Sequence, residues 1–331
     1  MMKAFIQFIA ATFIFTSIGA YGQAQSPELP SVSLLFAGDI VLDGLPGKEI
    51  EQGHDPFLAV SDLINKADIR IGNLECVVAT TGVPEEKIFK FRANPRTLSV
   101  LKSHFDAVSI ANNHSGDYGR TAFEEMLGLL NQQGIRFFGG GHNLSEAHTP
   151  LIIERNGLRI ALLGYNEFLP RSFEADANTA GTAWSEDEQV MADIHKARSF
   201  YKADLVIPIM HWGWENETHS SKRQEQLAHL MIDSGADLVI GGHPHVRQEI
   251  EYYQGKPIVY SVGNFMIDAL DNEEQTKGWV VQFQLDKMGV KSWRTHLVHI
   301  DDNGMPTFFS DEKSPCGSRD SSEINVCGSR Q

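Results

Sequence analysis

The chain has 331 residues, 42% of them hydrophobic, and a net charge of −15 at pH 7. That length and apolar fraction suit one large α/β domain, or two small ones, with a sizeable core. The acidic balance excludes a general nucleic-acid-binding surface.

The N-terminus reads as a targeting segment. Lys3 precedes an apolar run from Ala4 to about Ala20, broken by Gln7, Thr12 and Ser17, and small residues at Ala20, Gly22 and Ala24 mark a cleavage region. The run is short and interrupted for a stable membrane span. Residues 1–24 are therefore expected to be a cleaved signal peptide, with an uncleaved anchor as the alternative. Cleavage removes Lys3 and takes the net charge from −15 to −16. Residues 25–31 read as a linker, residues 32–300 as the folded domain.

Ser33-Leu34-Leu35-Phe36-Ala37 is the first expected strand, and it stops at Gly38-Asp39. Phe57 to Lys66 reads as a helix. Asp68-Ile69-Arg70-Ile71 is a strand that stops at Gly72-Asn73-Leu74-Glu75. A loop or hairpin over 84–95 carries Phe91-Arg92. After a helix over 96–104, the strand Ala107-Val108-Ser109-Ile110 stops at Ala111-Asn112-Asn113-His114. Thr121 to Gln132 is an amphipathic helix with Gly134 as its stop. Ile135 to Phe138 is a strand that enters the glycine triplet 139–141. Asn156-Gly157, between apolar runs, signals a hairpin.

An irregular stretch, 173–184, precedes a helix over 186–201 with Ser185 as its cap. The strand 205–210 contains Pro208, which weakens its regularity, and stops at His211-Trp212-Gly213. A helix over 221–234 ends at Gly235. The strand 237–240 then runs into Gly241-Gly242-His243-Pro244-His245. A hairpin (249–252 with 258–261) and an antiparallel pair (278–285 with 293–300) follow. Residues 311–331 are polar and expected to be disordered, although Cys316 and Cys327 are able to bridge in an exported protein. The phrase Ala67-Asp68-Ile69 recurs at Ala203-Asp204-Leu205 and Ala236-Asp237-Leu238. It is either a trace of a doubled half-domain or a common way to enter a strand.

Five apolar strands thus end in a candidate ligand: Asp39, Glu75, Asn113-His114, His211, and His243 with His245. Any one is weak alone. Five at the same end of successive strands point to a site, because open α/β sheets bind ligands at the carboxyl ends of strands. Pro244 excludes a helix interior, and in an extended or looped segment residues two apart point the same way. Two imidazoles so aimed suit a metal ion; the alternative is a His-rich surface turn. Carboxylates, an amide oxygen and imidazoles without a required thiol suit one or two divalent ions such as Mn, Fe or Zn. Cys76 reads as a buried thiol, or as a thiolate ligand beside Glu75.

In these motifs the chain resembles the poly-gamma-glutamate capsule biosynthesis (CapA-like) family, a branch of the calcineurin-like metallophosphoesterases. The matching residues include Phe36-Ala37-Gly38-Asp39, Gly72-Asn73-Leu74-Glu75, Ala111-Asn112-Asn113-His114 with Asp117, His211-Trp212-Gly213, His243-Pro244-His245-Val246 and Val262-Gly263-Asn264-Phe265. The resemblance implies a four-layer αββα sandwich, with C-terminal antiparallel strands and a metal site at one edge. It implies Asp39 and His245 on a first metal, Glu75 bridging, and Asn113, His211 and His243 on a second. His114, paired with Asp117, would be the general acid. The segment Asp39-Ile40-Val41 departs from the superfamily's Asp-x-His, so the first metal lacks one ligand. His142 is a candidate local substitute. Arg92 is a candidate substrate-binding residue, Trp212 and Trp214 candidate pocket walls, and Asn264 a support for the His-Pro-His loop.

The expected function is an exported, metal-dependent hydrolase-fold protein of the capsule-biosynthesis type, in the periplasm or cell envelope. It would act in synthesis, release or handling of poly-gamma-glutamate or a similar polymer. The alternatives are a non-catalytic polymer-binding accessory protein and a periplasmic phosphodiesterase or nucleotidase. The expected partners are an anionic polymer or a small phosphoester or amide substrate, together with envelope biosynthesis proteins. No nucleic acid is expected, and membrane contact only through an uncleaved N-terminal segment.

Overall fold

A computed structural model of the chain describes Met1, residues 30–308 and residues 312–328. The expected signal peptide, from residue 2 on, and all of the linker but Pro30 and Ser31 lie outside the described residues. Three successive stretches build two sheets. The first stretch gives β1 (Val32–Ile40), β2 (Ile69–Leu74), β3 (Ala107–Ser109) and β4 (Arg136–Phe138), all mutually parallel in that order. The second gives β5 (Leu151–Arg155), β6 (Leu158–Asn166), β7 (Leu205–His211), β8 (Val239–Gly242), β9 (Ile250–Tyr253) and β10 (Lys256–Val259). These form a separate sheet in the order β9-β10-β8-β7-β6-β5, with a parallel centre and antiparallel edges. The third returns to the first sheet as β11 (Asn264–Met266), β12 (Lys277–Asp286), β13 (Gly289–Ile300), β14 (Pro306–Phe308), β15 (Ser314–Ser318) and β16 (Ser321–Cys327).

The side-chain alternation of β1 shows how the layers stack. All nine of its residues are buried. Leu34 and Phe36 join Ile160, Leu162, Ile207, Ile240 and Phe283 in a core between the sheets. Leu35 and Ala37 face the other way, toward Phe123, Met126 and Leu127 of the helix Gly119–Gln133. A third core lies outside the second sheet, where Leu163, Tyr165 and Met210 meet Val190, Ile194, Leu227 and Met231. The covering helices are α1 (Gly44–Glu51), α2 (Leu98–His104) and α3 (Gly119–Gln133) on one side, and α4 (Asp187–Ser199) and α5 (Lys222–Asp233) on the other. The architecture is the four-layer αββα sandwich with C-terminal antiparallel strands. A strand covered on both faces reads as a continuous apolar run. Each large side chain so buried contributes about 1.5–3 kcal/mol.

The recurring Ala-Asp phrase has a local cause. Asp68 accepts the Ser33 N–H at 2.8 Å, Asp204 the Arg159 N–H at 2.9 Å, and Asp237 the Val206 N–H at 2.8 Å. Asp106 does the same for Arg70 at 2.9 Å. Each carboxylate takes a backbone donor at the start of the neighbouring parallel strand, a group otherwise left unpaired.

Several expectations change. The helix expected over 57–66 is a 3-10 turn (Leu58–Val60) followed by one α-turn (Ser61–Ile64). Ser185 does not cap α4; its hydroxyl donates to Glu167 instead. Pro208 fits a regular central strand because the ladder to β8 begins only at Ile209. The tail expected to be disordered contains β15 and β16. Its polar composition misleads because backbone pairing to Ser292, Trp293 and Arg294 holds it, with the Cys316–Cys327 disulfide closing the hairpin and Arg319 donating to Asp286 at 2.6 Å.

Candidate metal centre

The parallel strands of both sheets end at one edge of the sandwich. Asp39 ends its strand beside Asn73 on one side and Asn264 on the other. Glu75 and Asn112-Asn113-His114 follow β2 and β3. His211 ends β7 beside Gly242 of β8. The chain then turns sharply through His243 (φ 96°) and His245 (φ 59°). The two imidazoles therefore converge through a left-handed turn, the looped rather than the extended form of the expected segment. Such backbone costs roughly 1–3 kcal/mol per residue and persists where the surroundings impose it. Gly241 permits the approach, since a Cβ there would collide with the Tyr260 carbonyl.

Two ligand groups result, and they share Glu75. In one, His211 Nε2 lies 2.6 Å from Asn113 Oδ1, 3.0 Å from His243 Nδ1 and 3.5 Å from Glu75 Oε1. In the other, His245 Nδ1 is 3.4 Å from Asp39 Oδ2, and its Nε2 is 3.9 Å from Glu75 Oε1. Glu75–His211–His243 and Asp39–Glu75–His245 each offer ligand atoms within 4.8 Å of one another. Asn73 donates one amide to Asp39 Oδ1 and Glu75 Oε2, both at 2.8 Å, and Asn112 donates to Asn73 at 3.0 Å. Asn264 Oδ1 accepts from His245 Nδ1 at 2.8 Å, which leaves Nε2 free. Outer hydrogen bonds of this kind set the tautomer and direction of a ligating histidine.

The buried Asp39 Oδ2, Glu75 Oε1 and His243 Nε2 have no hydrogen-bond partner. Burial, then the Asp39 charge, pushes Glu75 well above the usual carboxylate range. Burial also opposes the charge on Asp39, but the nearby His245 outweighs it and holds Asp39 low. Burial pushes His211 down to about 3, and burial with its histidine neighbours pushes His243 well below 6.5. His245 moves the other way: burial opposes its charge, yet Asp39 raises it. Two adjacent buried carboxylates, neutral imidazoles and orphaned acceptors form a donor set that a divalent cation fits.

Beside the cluster, His114 Nδ1 lies 2.8 Å from Asp117 Oδ2. Burial lowers the His114 pKa, and Asp117 only partly offsets this. Lys87, not singled out from the sequence, pairs with Asp117 Oδ1 and donates to the Asn113 carbonyl at 2.9 Å. Asn73, Phe168 and Glu215 were missed as well. The Phe168 ring lies 3.8 Å from that of His243 and meets Trp214 edge-on. Glu215 forms a third group with His243 and His245. The sequence signal for Glu215 was its place four residues after His211.

Other candidates lie elsewhere. The Arg92 guanidinium covers the Tyr118 ring at 4.3 Å and lines a cavity of about 610 Å³ with Asp43, Lys48 and Glu51. His142 pairs with Glu146 at 2.8 Å on the surface, so it does not substitute for the missing ligand. Trp212 is buried and donates to the Tyr260 carbonyl, a packing role, whereas Trp214 is exposed. Cys76 is fully buried in the apolar layer, and burial pushes its thiol up.

Comparison with known proteins places the chain among capsule-synthesis proteins. The "PGA biosynthesis protein CapA" of Bacillus subtilis (strain 168) is 33% identical over 314 residues, covering 88% of this chain and 80% of that protein. The "Capsule biosynthesis protein CapA" of Bacillus anthracis is 30% identical over 270 residues, covering 78% of this chain; the chain spans 65% of that relative's length. Among solved structures, a hypothetical protein from Thermus thermophilus superposes with a TM-score of 0.54 at 16% identity, covering 80% of this chain and 98% of that one, a likeness of fold alone. No helix among the described residues is long and apolar enough to cross a membrane. Residues 33–269 match the family model described as "Bacterial capsule synthesis protein PGA_cap", and the chain belongs to that family.

Proposed function

We propose that this chain is an exported, metal-dependent hydrolase of capsule biosynthesis, acting on poly-gamma-glutamate or a similar envelope polymer in its synthesis, release or handling. The observation that carries this reading is the sharing of Glu75 by two ligand groups whose buried acceptors lack partners. Asp39, Glu75 and His245 would hold one divalent ion, and Glu75, Asn113, His211 and His243 a second; Mn, Fe and Zn all match the donors. Bound there, such ions supply positive charge to the scissile bond and a hydroxide source near neutral pH.

The chain's own residues do the rest. Asn73 and Asn264 fix the carboxylates and His245 through the hydrogen bonds above. His114 serves in proton transfer, with Asp117 holding its Nδ1 side. Its lowered pKa makes the neutral ring the resting form, so the acid form needs the negative charge of a bound substrate. Lys87 compensates Asp117 and sets a positive charge beside the His114–Asp117 couple. Phosphoester and amide bonds are both within reach of these groups.

One observation favours a second reading, a polymer-handling accessory protein without turnover. Val41 is fully buried in the apolar layer and leaves the Asp39 group with three ligands. Both readings are tested on protein lacking residues 1–24 by elemental analysis and by hydrolysis of phosphoester, phosphodiester and poly-gamma-glutamate probes. Two ions per chain, with turnover that His114→Ala abolishes and metal content that it spares, is the expected outcome. Bound metal without turnover on any probe supports the accessory reading, and absence of metal overturns the metal-dependent one.

A further inference from the structure

Glu215 sits on the loop after β7, with its carboxylate within 4.8 Å of ligand atoms on both His243 and His245. Its position is built rather than incidental. On one side, Trp212 N–H donates to the Gly242 carbonyl at 3.1 Å, and its indole donates to the Tyr260 carbonyl at 2.8 Å. On the other, Asn216 N–H donates to the Pro244 carbonyl at 2.9 Å. The Asn216 side-chain oxygen accepts from Asn272 at 2.6 Å and from Gln275 at 3.0 Å. Gly213 (φ 84°) and Asn216 (φ 66°) supply the left-handed turns that let the loop double back over the His-Pro-His turn. Between these anchors Glu215 is exposed, and among the described residues no hydrogen bond or ion pair engages its carboxylate. The buried His243 Nε2 also has no hydrogen-bond partner.

We propose that Glu215 supplies an oxygen ligand to the ion held by Asp39, Glu75 and His245, and so completes the coordination that Val41 leaves short. This rests on the metal-centre reading above. Three protein ligands leave a divalent ion below the four or more donors it takes. Val41, the residue that follows β1, offers no donor here because it is buried in the apolar layer. An exposed carboxylate on an anchored loop adds a donor from the solvent side. The ligand class is a hard-to-borderline divalent cation, and Mn²⁺ serves as the probe.

The test measures Mn²⁺ bound per chain and its dissociation constants, by elemental analysis and by titration, on protein lacking residues 1–24. The variants are Glu215→Gln and, as a surface-charge control, Glu217→Gln. Glu215 is exposed and the replacement is isosteric, so thermal unfolding without Mn²⁺ should match wild type. The expected result is loss of one of two ions in Glu215→Gln, or at least tenfold weaker binding of the weaker ion, with Glu217→Gln unchanged. Unaltered stoichiometry and affinity in Glu215→Gln overturns the assignment while the metal-centre reading stands. An equal loss in Glu217→Gln also overturns it, by reducing the effect to surface charge. Absence of Mn²⁺ binding by the wild type overturns the metal-centre reading itself, and this inference with it.

Discussion

The two halves of the centre share a carboxylate and differ in almost everything else. The Asn113–His211–His243 half takes its donors from strand ends in both sheets, and burial keeps its two imidazoles neutral. Such donors present lone pairs with no proton to displace. In the Asp39–His245 half the two groups approach to 3.4 Å in a buried setting, which holds Asp39 low and raises His245. A cation entering there must expel the His245 proton and replace its charge. The contrast teaches that ligand count alone does not rank two sites. What the donors already hold matters as much, and the second half is better prepared for a metal ion.

The largest effect is expected where the halves meet. Glu75→Gln keeps the shape but removes the shared charge, so both ions should be lost, with metal content near zero and thermal unfolding within a few degrees of wild type. Retention of both ions would break the comparison, since Glu75 would then bridge nothing. Next in size, His243→Ala and Asn113→Ala should each weaken the second half by roughly 100-fold or more, above the range for outer-shell groups. The first half should keep its ion in titrations followed by elemental analysis. Simultaneous loss of both ions in these variants would mean that the halves are one site.

A smaller effect isolates the first half. Asn264→Ala leaves every ligand in place but frees the His245 ring, and outer-shell partners of this kind change affinity about 10- to 100-fold. Affinity at the first position should fall in that range, while the second position holds. An equal fall at both would show that Asn264 supports the edge of the sheet through the Gln275 carbonyl, which its amide also reaches, rather than the histidine.

The same division explains what was legible in the sequence. Asp39, Glu75, Asn113, His211 and His243 were readable because each stands where an apolar run stops, and parallel strands align their stops. The four layers were readable from runs such as Leu34 to Ala37, which are apolar on both faces. The approach of His245 to Asp39 was implied by the family resemblance alone, because it depends on positive φ values at His243 and His245 that the local sequence does not dictate. Glu215 and Lys87 sit on polar loops whose anchors, Asn216 to Pro244 and Lys87 to Asn113, join segments far apart in the chain. The tail was misread for a related reason. Its strands are held by backbone pairing to Ser292, Trp293 and Arg294, and composition carries no trace of a backbone partner.

The finest distinction between the halves is one of protons. Metal ligands must be deprotonated, so affinity rises with pH wherever a ligand still holds a proton. Glu75 is shared, so whichever ion enters first displaces its proton. Burial pushes His211 down to about 3 and, with the neighbouring histidines, pushes His243 well below 6.5, so neither holds a proton for an entering ion to displace. His245 is raised above 6.5, so its protonated form dominates up to and somewhat beyond that pH. Affinity at the first position should therefore climb with a slope steeper by one proton, up to about tenfold per pH unit, and level off above the His245 pKa. Mn²⁺ titrations at pH 5.5, 6.5, 7.5 and 8.5 read this directly: the second position fills at the lower values and the first only as pH rises. Equal slopes would mean that His245 carries no proton to displace. The Asp39–His245 contact would then be a neutral hydrogen bond, and the contrast between the halves would come down to ligand number alone.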